Sequence, residues 1–157
     1  MRIALAQFNP VVGDIAGNTR KILELAKTAM AQGADVLVTP ELALTGYSPE
    51  DLLLREHFYR AIYAGLDELE MLDGITLVIG HPARLGHERF NAATVLRDGN
   101  RLGQYHKMLL PNNEVFDECR YFTPGAAPLV FEQNGVKVGI IICEDGWSVE
   151  PAAEAAD

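Results

Sequence analysis

The first forty residues constrain the fold more than any other stretch, because they switch between the hydrophobic period of a strand and that of a helix. Ile3 to Phe8 is a short, mostly apolar run, which reads as a buried strand starting almost at the first residue. Asn9-Pro10 and Gly13-Asp14 break it, making residues 9–17 a loop. Ile22, Leu25, Ala26, Ala29 and Met30 then recur at i, i+3, i+4, i+7 and i+8. That spacing lays one apolar face along a helix, with Asn18 or Thr19 as the expected cap and Gly33 as the stop. Val36 to Thr39 is a second strand, ended by Pro40. Strand, helix and strand in so short a span imply a sheet flanked by helices, an α/β fold.

The remainder continues in the same style. A helical stretch runs from about Glu50 to Leu72, and Ile75 to Ile79 is a strand that Gly80-His81-Pro82 should end. Two apolar runs, 91–96 and 101–105, flank Arg97-Asp98-Gly99-Asn100, whose Asp-Gly is a hairpin signal. Residues 107–128 hold three prolines and little periodicity, so this is expected to be a long exposed segment of the kind that carries function. Val130-Phe131 and Val136 to Cys143 form a last hairpin turning at Asn134-Gly135. Pro151 to Asp157 resembles the first turns of a helix that is cut off, and the expectation is that residues 1–157 are part of a longer protein.

The chain has 22 acidic and 13 basic residues and a formal net charge of −9. Without a Lys/Arg cluster, such a surface argues against nucleic acid or an anionic membrane as partner. The longest apolar run, Val138 to Cys143, is strand-sized and far too short to span a bilayer. Two cysteines make no disulfide framework, so a reducing, cytoplasmic setting is expected. The histidines and cysteines lack the spacing of a metal site.

Three reactive residues follow apolar strands: Glu41, Lys107 and Cys143. In an open α/β sheet, ligand sites gather at the carboxyl ends of strands, so residues this far apart in sequence can converge. Taken singly, each has a plainer explanation. A free cysteine beside Ile140-Ile141-Ile142 is more often a small buried hydrophobe, and Glu41 and Lys107 are the types that usually face solvent. What favours Cys143 is its sequel, Glu144-Asp145-Gly146-Trp147. An abrupt change from branched aliphatics to two acids and a glycine suits a sharp turn that exposes the thiol and frees a backbone N–H for an oxyanion. His106 offers a rival Cys–His pairing, and the other histidines, 57, 81 and 87, lie in contexts that suggest surface or turn.

Three blocks, PELALTGYSPEDLL around Glu41, HKMLLPNNEVFDECRYFTPG around Lys107 and VGIIICEDGW around Cys143, resemble the signatures of the nitrilase, or carbon–nitrogen hydrolase, superfamily. The opening MRIALAQFNPVVGDIAGN is similar to that family's first strand and loop. In detail the blocks are most similar to the glutaminase domain of glutamine-dependent NAD synthetases. The resemblance implies an α-β-β-α sandwich, of which this chain would hold a truncated part. It also implies a Glu41–Lys107–Cys143 triad that hydrolyses the side-chain amide of glutamine through a thioester. Glu41 would be the general base, and Lys107 with the backbone N–H of Glu144 would stabilise the oxyanion. A second glutamate near the site is implied as well, Glu118 or Glu114, with the context favouring Glu118. Asn113 stands where these synthetases often place an aromatic residue lining the pocket. The glutaminase step would need no cofactor. ATP and magnesium would belong to a C-terminal synthetase domain, the implied partner, which is not in this chain, and a homo-oligomer is expected. The competing readings are another nitrilase-type amidase, such as an ω-amidase or N-carbamoyl-amide hydrolase, and a catalytically silent module.

Overall fold

Strand β1 (Ile3–Leu5), helix α1 (Ile15–Ala31), β2 (Val36–Val38), α2 (Glu56–Glu70) and β3 (Thr76–Leu85) form two successive parallel crossovers in the computed structural model, which describes residues 1–113 and 116–156. Strands β4 (Glu88–Arg97) and β5 (Asn100–His106) add antiparallel neighbours, giving a five-stranded sheet in the order β1-β2-β3-β4-β5. β6 (Val130–Gln133) and β7 (Val136–Gly139) make a separate hairpin, and α3 (Val149–Ala156) packs on β7. Both hairpins expected at Asp98-Gly99 and Asn134-Gly135 form, with Asp98 and Asn134 at φ of 48° and 52°. These are the left-handed values that primed turns require.

The layers follow from which side chains each face buries. Ile22, Ala26, Ile62 and Leu66 of the helices pack against Leu37, Leu77, Ile79 and Leu96 on one face of the large sheet. The opposite face, with Val36, Val78, Val95 and Tyr105, meets Phe131, Ile140 and Ile142 from the second sheet. With α3 outside the hairpin, the order is α-β-β-α. The second sheet, however, has only two strands. That is why β1 is not the buried strand its composition suggests: it lies at the sheet edge, and Ile3 and Leu5 are 46% and 76% exposed on the face the short hairpin does not reach.

Three local expectations change. Helix α1 starts earlier, at Ile15, with Asp14 as its cap accepting from the Gly17 N–H at 2.9 Å. Asn18 is buried inside the helix and its amide donates to the carbonyls of Val11 and Leu44, tying down the loop on either side. The stretch from 50 onward is a 3-10 turn (Glu50–Leu54) followed by α2. β3 runs straight through Gly80-His81-Pro82 to Leu85, because past Val78 it has a strand partner on one side only, where a proline costs little. His81 is therefore a fully buried strand residue and not a surface or turn histidine. Its Nδ1 pairs with the Pro82 carbonyl at 2.9 Å and its Nε2 with Thr94 Oγ1 at 2.7 Å.

Candidate active site

The loop after β2 carries Glu41. It is folded tightly: Ala43 N–H reaches the Pro40 carbonyl, Leu44 N–H reaches the Gly80 carbonyl at 3.0 Å, and Leu42 adopts φ of 51°. A Cβ on Gly80 would lie 2.4 Å from the Pro40 oxygen, so the close approach of β3 to this loop depends on glycine. Lys107, just past β5, donates its N–H to the Asn91 carbonyl and accepts from the Gly125 N–H, both at 2.8 Å. The segment expected to be long and exposed thus has buried anchors, among them Lys107, Glu118 and Phe122. Cys143 opens a 3-10 turn (Cys143–Trp147) at φ of 45°. This strained backbone is typical of functional turns, and the leading N–H groups of such a turn have no acceptor within it.

Glu41, Lys107 and Glu118 meet through a buried ammonium. Lys107 Nζ lies 2.6 Å from Glu41 Oε1 and 3.0 and 3.1 Å from the two oxygens of Glu118. Asn91 Nδ2 donates to Glu41 Oε1 at 2.6 Å, and Tyr47 donates its hydroxyl to Glu118 at 2.9 Å. Glu41 and Cys143 line one end of the same cleft, of about 420 Å³, whose remainder is the apolar gap between the two sheets. His106 is not part of the cluster: it stacks on Phe90 at 4.0 Å and pairs with Gln104. The Cys119 thiol is exposed and faces the Leu110 carbonyl.

The electrostatics follow from these positions. Burial works against the charge on Lys107, but the carboxylates of Glu41 and Glu118 outweigh it and hold the ammonium above the usual lysine range. Glu118 is pushed up by burial and by the charge of Glu41, with Lys107 opposing. Burial, followed by the charge of Glu41, raises the Cys143 thiol, and Lys107 pulls it back down. Tyr47 is raised by burial and by Glu118. A cation flanked by two acids beside a thiol is an arrangement that can move a proton and stabilise a developing oxyanion.

Of the residues expected at the site, the fold brings together Glu41, Lys107, Glu118 and Cys143. Asn113 is exposed and Glu144 half-buried, and neither side chain has a partner in the cluster. Glu114 lies outside the described residues. Three participants were not singled out from sequence. Tyr47 and Asn91 touch the charged cluster, and Asp145, fully buried, accepts from the N–H groups of Met108, Leu109 and Ile142 and from the Tyr105 hydroxyl. The available signals were an asparagine at the head of the mostly apolar run 91–96 and an acid within the turn that follows Ile140-Ile141-Ile142. Among the described residues no group of three or more His, Cys, Asp or Glu could hold a metal ion, and no helix is long and apolar enough to cross a membrane.

The sequence pattern of the carbon-nitrogen hydrolase family matches residues 2–156, and the chain belongs to that family. It is 46% identical over 150 residues to a glutamine-dependent NAD(+) synthetase of Acinetobacter baylyi, covering 94% of this chain and 28% of that protein. It is 45% identical over 157 residues to the Thermotoga maritima glutamine-dependent NAD(+) synthetase, covering 98% of this chain and 27% of that protein. Among solved structures, the glutamine-dependent NAD+ synthetase of Acinetobacter baumannii superposes with a TM-score of 0.93 at 43% identity, over 96% of this chain and 29% of that one. A nitrilase-superfamily amidase of Nesterenkonia superposes with a TM-score of 0.89 at 30% identity, over 99% of this chain and 60% of that one. The chain spans little more than a quarter of the length of the synthetases it matches.

Proposed function

We propose that this chain is the amide-hydrolysing part of a glutamine-dependent NAD synthetase. The observation that carries the reading is the buried Lys107 ammonium, 2.6 Å from Glu41, at the end of a cleft that Glu41 shares with Cys143. Glu41 takes the proton of the Cys143 thiol as sulfur attacks the side-chain amide carbon of glutamine. The carbonyl oxygen becomes an oxyanion, stabilised by Lys107 and the backbone N–H of Glu144. Collapse expels ammonia, which receives the proton from Glu41, and leaves a γ-glutamyl thioester on Cys143. Glu41 then draws a proton from water, hydroxide adds to the thioester, and glutamate leaves as the thiol is restored. Glu118 keeps the Lys107 ammonium charged and in place throughout. The ammonia passes to a synthetase domain elsewhere in the full protein, where ATP and magnesium are used. Likeness to the synthetases at 45–46% identity, against 30% for the amidase, favours glutamine over other amides.

The test is covalent labelling with a diazo-ketone analogue of glutamine, with the adduct located by peptide mass spectrometry. Labelling of Cys143 that glutamine suppresses supports the reading. Labelling of Cys119 alone, or labelling indifferent to glutamine, overturns it. In the full synthetase, Cys143→Ala abolishes glutamine-driven synthesis and spares synthesis from free ammonia. Loss of both would contradict the division of labour.

A further inference from the structure

We propose that Asn91 is a positioning residue, which fixes the Glu41 carboxylate so that its Oε2 atom is the one that takes the thiol proton. The inference deepens the reading of Glu41 as general base and rests on it. Asn91 lies in β4 between β3 and β5 and is fully buried. Its backbone carbonyl holds the Lys107 N–H at 2.8 Å, and its side-chain amide donates to Glu41 Oε1 at 2.6 Å. One residue thereby sets both the base of the lysine and the head of the glutamate.

The consequence lies in how the donors are shared. Glu41 Oε1 accepts from both Lys107 Nζ and Asn91 Nδ2, each at 2.6 Å. Neither of these two donors goes to Oε2. Two donors on one oxygen fix the carboxylate rotation and leave the other oxygen to face the Cys143 thiol, a hydrogen-bond neighbour of Glu41, as a proton acceptor must. A lone Lys107 would leave that rotation open, because an ammonium is a compact charge with rotatable donors.

The orientation of the amide is settled by its surroundings. Asn91 Nδ2 also faces Glu118 Oε2, at 3.5 Å, so turning the amide over would set a carbonyl oxygen against two acids. In the orientation it has, Asn91 Oδ1 is buried without a hydrogen-bond partner. An orphaned buried carbonyl is a cost to the fold, tolerated here for what the other end of the amide does. The charged or titratable groups around Glu41 are Lys107 after β5, Glu118, Tyr47 and Cys143.

The test compares Asn91→Leu, which removes the donor while keeping the branching at Cγ, with Asn91→Asp, which keeps the shape and turns the donor into an acceptor. In Asn91→Leu, kcat for amide hydrolysis falls about 10- to 100-fold, the loss of one hydrogen bond to a charged group, with KM within about threefold. In Asn91→Asp, turnover is lost where the introduced carboxyl group is ionised and returns on acidification, since a protonated carboxyl can donate as the amide does. Its pH optimum therefore moves to lower pH. A further readout needs no substrate: iodoacetamide alkylation of Cys143, mapped apart from Cys119, shifts to higher pH in Asn91→Asp because the added negative charge disfavours the thiolate. Unchanged optimum and alkylation profile, or a loss equally deep at every pH, would overturn the proposal. Should Asn91→Asp not fold, the kcat-against-KM split of Asn91→Leu decides. Should wild-type protein hydrolyse another amide and not glutamine, the glutamine reading fails while the Asn91 test runs unchanged on that amide.

Discussion

The carboxylate of Asp145, two residues past Cys143, accepts the backbone N–H of Leu109, two residues past Lys107, at 2.8 Å. Its other oxygen accepts the N–H of Ile142, immediately before the cysteine, at 3.0 Å. One buried side chain therefore joins the stretch that carries the thiol to the stretch that carries the cation. Replacing it with alanine leaves three backbone N–H groups and the Tyr105 hydroxyl without their acceptor. We expect Asp145→Ala to lower stability by about 3 kcal/mol or more, since buried donors are orphaned. Urea unfolding measures this, and a loss below about 1 kcal/mol would show that the two stretches hold together by other means.

The Cys143 thiol is raised by burial and by the Glu41 charge, with Lys107 opposing. Iodoacetamide alkylation of Cys143 followed against pH should therefore have its midpoint above that of an ordinary cysteine. Glu41→Gln removes a negative neighbour and lowers the midpoint, whereas Lys107→Met removes a positive one and raises it. Shifts of the opposite sign would mean that the thiol does not sense this cluster.

Gly80 predicts a mutation that damages the site without touching a reactive group. A methyl group there would lie 2.4 Å from the Pro40 oxygen and 2.8 Å from the Leu42 nitrogen, so the Glu41 loop must shift. Gly80→Ala should cost about 1–3 kcal/mol, in the range for overpacking, and reduce turnover well beyond what the stability loss explains. Full activity in a stably folded Gly80→Ala protein would show that the loop has room to move.

His81 sets a pH dependence of stability. Burial depresses it to about 4 from an ordinary 6.5. Between those values the unfolded chain holds a proton that the folded chain does not, so stability rises with pH across the window and is fully present above it. Acidification from pH 7 to pH 4 should remove up to ~3 kcal/mol through this residue. Urea midpoints at the two pH values, in the wild type and in His81→Gln, measure that contribution. Equal acid sensitivity in both proteins would assign it to other groups.

Most of the architecture was legible because period and turn chemistry agreed. The helical face of Ile22, Ala26 and Ala29 and the left-handed turns at Asp98-Gly99 and Asn134-Gly135 needed only local rules. Glu41, Lys107 and Cys143 stood out as reactive residues after apolar strands, and the resemblance supplied Glu118. What local reading could not reach were consequences of pairing. Pro82 looked like a strand end because nothing in the sequence says that β3 loses a neighbour there. His81 looked like a turn residue for the same reason. Asn91 was one polar letter in a strand, and only a partner 50 positions earlier gives it meaning. Ile3 and Leu5 looked buried because composition does not report how wide the second sheet is.

The links of the site span long stretches of chain: 66 positions from Lys107 to Glu41, 50 from Asn91 to Glu41 and 37 from Met108 to Asp145. Each such link closes a long loop, and the entropy of that closure must be met before the contact gives anything back. The chemical character of Cys143 is therefore a property of the assembled sheets and not of its own turn, since burial, Glu41 and Lys107 together set it.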